Sequence, residues 1–152
     1  MWLPGKAHTV VAGEGRQVDL GNVTMRVLAV DGEPSDSFTL AEFSGGAGAW
    51  TVPHLHRSFE ESFFILDGSF TFTVADEAIA ATPGTYVLVP RNTAHTICAG
   101  EGGGRLLTLM VPGGLEGMFF ELGALSPDAI TDVTIRREIA SRYDSIPVLA
   151  QS

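Results

Sequence analysis

Short runs of Val, Ile, Leu, Phe and Thr recur along the chain with apolar and polar residues alternating, and Gly, Pro, Asp or Asn separates one run from the next. Alternation with a period of two puts every second side chain on one face, the pattern of strands half-buried in a sandwich or barrel. Strands are expected near His8–Val11, Gln17–Leu20, Val23–Val30, Phe38–Phe43, Thr51–His56, Glu61–Leu66, Ser69–Val74, Ala78–Ala81, Tyr86–Val89, His95–Ala99 and Leu106–Val111. Asp67-Gly68 lies between two apolar runs, and both residues tolerate the positive φ of a two-residue turn. Glu61–Leu66 and Ser69–Val74 are therefore expected to pair as a hairpin. Gly45–Gly48 and Gly100–Gly104 lack the spacing and the lysine of phosphate-binding loops and read as plain loops.

After Val111 the pattern changes. Pro112-Gly113-Gly114 ends the last strand, and Leu115, Met118, Phe119 and Leu122 recur at helical spacing. Ser126-Pro127-Asp128 reads as a turn opening a helix, and Thr131–Tyr143 is weakly amphipathic. The chain thus divides into N-terminal strands (1–37), a barrel (38–111) and a C-terminal helical segment (112–152) packed outside it.

With 152 residues, 45% of them hydrophobic, the chain suits one domain with its own core. Nine Lys and Arg against 18 Asp and Glu give a formal charge of −9, which repels nucleic acid and anionic lipid. No apolar run is long enough to span a bilayer, so no membrane role is expected. The first residues carry neither a basic nor an apolar signal stretch, and a cytoplasmic location is expected. Cys98, the single cysteine, has no neighbouring base or second thiol and reads as a buried, inert side chain.

The candidate chemistry lies in Gly48–Gly68. His54 and His56 are two residues apart, so on a strand both imidazoles point to one side, as two ligands of a first-row divalent metal would. Glu61, at the start of the next apolar run, can reach the same point. Of the other histidines, His95 follows a strand, a Pro90-Arg91-Asn92 turn and the start of another strand, which can return it to the site. His8 has no ligand partner nearby in sequence and reads as a surface residue.

These residues resemble the two motifs of the cupin superfamily. Gly48, His54, His56, Glu61 and Gly68 fill every position of the first motif. In the second, Gly84, Pro90 and His95 match, while Asn92 stands where glycine is usual and Ala99 where asparagine is usual. Asparagine adopts left-handed turn conformations more readily than most residues, and Ala99 removes no ligand. Glu60 competes with Glu61 for the carboxylate position, but only Glu61 leaves the usual six residues before Gly68. The resemblance covers about Phe38 to Val111 and implies an all-β, single-domain jelly-roll barrel with short C-terminal helices, holding one divalent transition metal (Fe, Mn, Ni, Co, Cu or Zn) on His54, His56, Glu61 and His95.

If Glu61 faces inward, alternation puts Phe63 and Ile65 on the same face, and Ile97 follows His95 inward. Such apolar walls suit an aromatic or otherwise hydrophobic small molecule. Met118 and Phe119 lie where, in cupins resembling quercetinases, a helix covers the barrel mouth. Three histidines and a glutamate leave coordination positions open, as catalytic sites do. The resemblance implies a dioxygenase using O2 on an aromatic or enol substrate, with Glu61 accepting the substrate's proton. The alternatives are a non-oxidative metal-dependent isomerase, cyclase or lyase, and a non-catalytic ligand-binding cupin. The family also implies a homodimer, with strands over Gln17–Val30 available for the contact.

Overall fold

The computed structural model describes residues 2–32 and 35–149, so the segments 1–37 and 112–152 each include residues outside this set. Among the described residues the chain forms β1 (Gln17–Asp19), β2 (Val23–Val30), β3 (Thr39–Gly45), β4 (Gly48–Ala49), β5 (His54–Leu55), β6 (Glu60–Val74), β7 (Glu77–Ala81), β8 (Tyr86–Val89), β9 (His95–Val111), α1 (Glu116–Gly123), α2 (Pro127–Ile130), α3 (Val133–Ser141) and β10 (Ile146–Pro147). The expected all-β barrel with short C-terminal helices is what forms.

Its frame is one long ribbon. β6 and β9 run antiparallel over their whole length, from Glu60 opposite Val111 to Val74 opposite His95. The two ends of the ribbon carry different neighbouring strands. At one end β6 carries β8 on its free side, and β9 carries β3, β2 and β1 in turn. At the other end β6 carries β7, while β9 pairs with β4 and β5, and β10 closes on β5. The ribbon is folded over so that the inner faces meet, the jelly-roll arrangement.

The fold line runs through Asp67 and Gly68, where the register slips between Ile65 and Asp67 and again between Gly68 and Phe70. This corrects the hairpin expectation: Glu61–Leu66 and Ser69–Val74 do not pair with each other but are two halves of one strand. Gly68 has φ 75°, yet it serves as a bulge and not as a turn. A Cβ there would collide with the Gly103 carbonyl, and one on Gly103 would collide with the Gly45 carbonyl. Gly100–Gly104 is correspondingly not a loop but the middle of β9, and Gly45 and Gly48 likewise lie in strands. Glycine marks backbone contact here as well as turning.

His8–Val11 is not a strand. The segment runs alongside the barrel, His8 remains exposed, and its Nε2 lies 2.7 Å from the Leu28 carbonyl. Cys98 is exposed, not buried as expected. Alternation along β9 sends His95, Ile97 and Ala99 inward and Cys98 outward.

The inner faces supply the core. Met25, Ile65 and Phe72 are fully enclosed, and each such side chain contributes about 1.5–3 kcal/mol by leaving water. A second cluster of Phe59, Met110, Leu115, Met118, Leu122 and Ile139 packs α1 and α3 over the barrel end farthest from the crease. Two of the three helices are capped as their sequences suggest, α2 by the Ser126 hydroxyl and α3 by the Asp132 carboxylate. α1 is anchored differently. The buried Glu116 carboxylate accepts from the Ser35 and Gly114 N–H groups at 2.7 and 2.8 Å and from the Thr39 hydroxyl at 2.6 Å. No helix among the described residues is long and apolar enough to cross a membrane.

Candidate metal centre

Folding the ribbon sets its far-apart ends face to face. Glu61 is the second residue of β6 and His95 the first of β9, and although the ladder places them at opposite ends, Glu61 Oε1 lies 3.8 Å from His95 Nε2. The other Glu61 oxygen lies 3.5 Å from His56 Nε2. β5 brings in His54 directly opposite His95, with ring centroids 4.2 Å apart. One ring nitrogen from each of His54, His56 and His95 falls within 4.8 Å of the others, so the three-histidine cluster can hold a metal ion.

The outward hydrogen bonds fix which nitrogens face inward. Nδ1 of His54, His56 and His95 donates to the carbonyls of Val52, Asp144 and Thr93 at 2.7, 2.9 and 3.0 Å. A carbonyl can only accept, so each Nδ1 carries a proton, and in the neutral imidazole, the form that ligates a metal, the lone pair is on the inward-facing Nε2. His56 Nε2 and His95 Nε2 are buried without a hydrogen-bond partner. Lone pairs and a carboxylate converging in a dry space repel one another unless a cation lies between them, and a buried polar atom without a partner is costly. The donor set fits a divalent first-row metal, with backbone carbonyls orienting the rings from behind.

The electrostatics agree. Burial pushes the His54 pKa down to about 4, and the charge of His95 pushes it the same way, so its lone pair is free at neutral pH. Burial alone would raise the Glu61 pKa, but His95, His56 and His54 outweigh it and hold the carboxyl below its usual range. Burial lowers His95, yet the facing Glu61 carboxylate more than offsets this and raises it. At 3.8 Å that contact is one of charge and not a hydrogen bond.

Glu60 points the other way, pairing with Arg91 at 2.9 Å on the partly exposed outer face. Asn92 adopts φ 59°, the left-handed turn expected of it, and its N–H donates to the His56 carbonyl at 2.7 Å. Phe63 and Ile97 follow Glu61 and His95 by two residues on the same inner faces, and both are buried. Phe63 packs on Phe72 at 5.0 Å, and Ile65 lies a layer deeper, fully enclosed. Met118 is buried in the helical cluster, while Phe119 meets Phe43 edge-on at 5.1 Å. Two surface grooves, one of about 630 Å³ lined by Asp67, Gly68, Gly102 to Gly104 and neighbours, lie towards the crease and do not include the histidines.

Sequence reasoning missed Phe59, which stacks on His56 at 4.3 Å, and Asp144, whose carbonyl holds the same ring. Phe59 sits in the polar stretch between the histidines and Glu61 and could have been noticed. Asp144 lies 88 residues from His56, and no local pattern links them.

Comparison with known proteins matches residues 40–112 to the family described as Cupin domain. The chain is 28% identical over 116 residues to quercetin 2,3-dioxygenase of Bacillus subtilis (strain 168), across 76% of this chain and 34% of that protein. It is 31% identical over 99 residues to quercetin 2,3-dioxygenase of Aspergillus japonicus, across 62% of this chain and 27% of that one. The chain therefore spans about a third or less of the length of these curated relatives. Among solved structures, KdgF from Halomonas sp. superposes with a TM-score of 0.63 at 18% identity, covering 70% of this chain and 94% of that one, a likeness of fold.

Proposed function

We propose that the chain, whose residues 40–112 match the Cupin domain family, is a metal-dependent dioxygenase of the quercetin 2,3-dioxygenase type, acting on an aromatic or enol small molecule. The observation that carries this reading is the convergence of three Nε2 lone pairs and one ionised carboxylate in a space without water-facing walls. The two curated relatives, both quercetin 2,3-dioxygenases, support the choice of chemistry.

His54, His56, His95 and Glu61 would hold the metal, which when bound supplies Lewis acidity towards a substrate hydroxyl and, for a redox-active ion, electronic contact with O2. The chain's own residues do the rest. Glu61 is held ionised, so it can take the hydroxyl proton onto a carboxylate oxygen and leave the substrate as the more electron-rich enolate. Phe63 and Ile97 wall the layer beneath the ligands with apolar surface, and Ile65 backs them. Met118, packed beside Phe59 in the helical cluster, and Phe119, set against Phe43, are assigned the role of keeping water from the reacting centre. All four proposed ligands are at most 9% exposed, and Phe59, which stacks on His56, packs in the same cluster as Met118 and Leu122 of α1; on that contact we assign α1 the role of a lid. β1 is an edge strand, and a homodimer formed through β1 and β2 belongs to the same proposal.

The test is oxygen uptake by the metal-loaded protein on flavonols and related enols. The reading expects O2 consumption in proportion to substrate loss, with both oxygen atoms in the products, and no turnover under strict anaerobiosis. A substrate converted at full rate without O2 would overturn it and assign instead a metal-dependent isomerisation, cyclisation or elimination.

A further inference from the structure

The residues after α3 return to the histidines. Ile146 and Pro147 of β10 pair with Leu55 and His54, and the Val148 N–H donates to the Pro53 carbonyl at 3.0 Å. Just before them, Asp144 takes a left-handed backbone conformation, φ 56°, which aspartate tolerates better than most residues. This turns both of its acceptors onto one short stretch. Its carbonyl accepts from His56 Nδ1 at 2.9 Å. One carboxylate oxygen accepts from the Arg57 N–H at 2.8 Å, the Ser58 N–H at 2.7 Å and the Ser58 hydroxyl at 2.5 Å.

We propose that Asp144 is the positioning residue of His56: its carboxylate clamps the turn after the histidine, and the clamp holds its carbonyl where it fixes the imidazole's tautomer and aim. The inference rests on the metal reading of the site. It follows from what the other two rings have. The carbonyls that orient His54 and His95 belong to Val52 and Thr93, two residues away on the same segments, so local backbone geometry sets them. The carbonyl that orients His56 belongs to Asp144, 88 residues away, and apart from the carboxylate it is held by the longer Ser145 N–H bond to the Ala140 carbonyl at 3.3 Å and by the short β10 pairing. Three hydrogen bonds to one ionised oxygen make a strong clamp. Asp144 lies three residues beyond the end of α3, so the clamp ties the helical segment to a proposed ligand.

Asp144→Gly keeps the left-handed backbone and removes the carboxylate, Asp144→Asn keeps an oxygen acceptor, and Ser58→Ala removes one of the three bonds. Co(II) titration by calorimetry measures affinity, and nitrogen-15 NMR of the metal-free proteins reads the tautomer of each histidine. For D144G the expected result is a loss of about 10–100-fold in Co(II) affinity, as is usual when a ligand's supporting partner is removed. Its His56 shifts from the Nδ1–H form to a mixture of tautomers, while His54 and His95 stay unchanged. D144N restores most of the affinity, and S58A loses about 3-fold. D144G binding Co(II) as tightly as the unaltered protein, with His56 unshifted, would overturn the positioning role and leave the metal reading standing. No binding by the unaltered protein would sink both. If D144G does not fold, S58A decides, and unchanged affinity there overturns the proposal.

Discussion

The two ends of the folded ribbon make opposite uses of close approach. At the crease, Gly68, Gly103 and Gly45 let three backbones touch, and no side chain in that contact carries chemistry. At the mouth, the approach is between side chains, with Glu61 3.8 Å from His95 and 3.5 Å from His56 in a buried space. The crease puts the ends of β6 and β9 within reach of each other, and the mouth turns that proximity into a ligand set. One region is built for geometry at no electrostatic cost. The other accepts an electrostatic cost that a cation relieves.

Gly68→Ala is the most damaging way to test this division. The added methyl group meets the Gly103 carbonyl on a backbone already at φ 75°, so the ribbon cannot close as it does. A loss of about 3 kcal/mol or more is expected from urea denaturation, together with loss of Co(II) binding, although residue 68 is not a ligand. Retained binding at native stability would show that the crease does not set the mouth.

His95→Ala separates the two regions in the other direction. The fold should persist by circular dichroism, since the core cluster does not depend on this ring, while calorimetric metal affinity drops by more than about 100-fold, beyond the loss usual for a supporting partner.

The pH response is the next effect down. In the metal-free protein burial, reinforced by His95, holds His54 at about 4. The unfolded chain takes up that proton near 6.5, so between roughly pH 6.5 and 4 the unfolded state binds more protons and stability falls as pH falls. The expected size is about 2–3 kcal/mol. His95 works in the opposite sense, because its pKa is raised: its contribution is present below the unfolded value and lost as pH rises through the folded one. The His54 effect is therefore read as the difference between the unaltered protein and His54→Ala in urea midpoints at pH 7 and pH 4.5. Equal slopes for the two would contradict the burial argument.

The smallest effect concerns the turn that carries the chain from β8 towards His95. Asn92→Gly should leave stability within a few tenths of a kcal/mol, while Asn92→Ala should cost about 1 kcal/mol in thermal denaturation because alanine resists φ near 59°.

What the sequence made legible follows from the range of each signal. Strand alternation is local, so β2 and β8 fall at their expected bounds and the inward set Glu61, Phe63, Ile65 and His95, Ile97 is read without topology. The spacing of His54, His56 and Glu61 is local too; the structure brings His54, His56 and His95 within 4.8 Å of one another, with the Glu61 carboxylate 3.5 Å from His56 and 3.8 Å from His95. Asp67-Gly68 misled because a glycine with positive φ serves a hairpin turn and a bulge equally well, and only the partner strand distinguishes them. Cys98 was expected to be buried from its residue type, although its own alternation with His95 and Ile97 placed it outside. Glu116 and Asp144 were out of reach, because their partners lie 77 to 88 residues away and a lone carboxylate in a helical or turn segment carries no mark of what it will hold.

The central claim is that closing the ribbon assembles one metal site from His54, His56, His95 and Glu61. Metal titration followed by elemental analysis and X-ray absorption spectroscopy tests it directly. The account predicts one divalent ion per chain, three imidazole nitrogens and oxygen in its first shell, and loss of the ion when any of the three histidines is replaced by alanine. A folded protein that binds no divalent metal, or binds it equally well without those histidines, would contradict it.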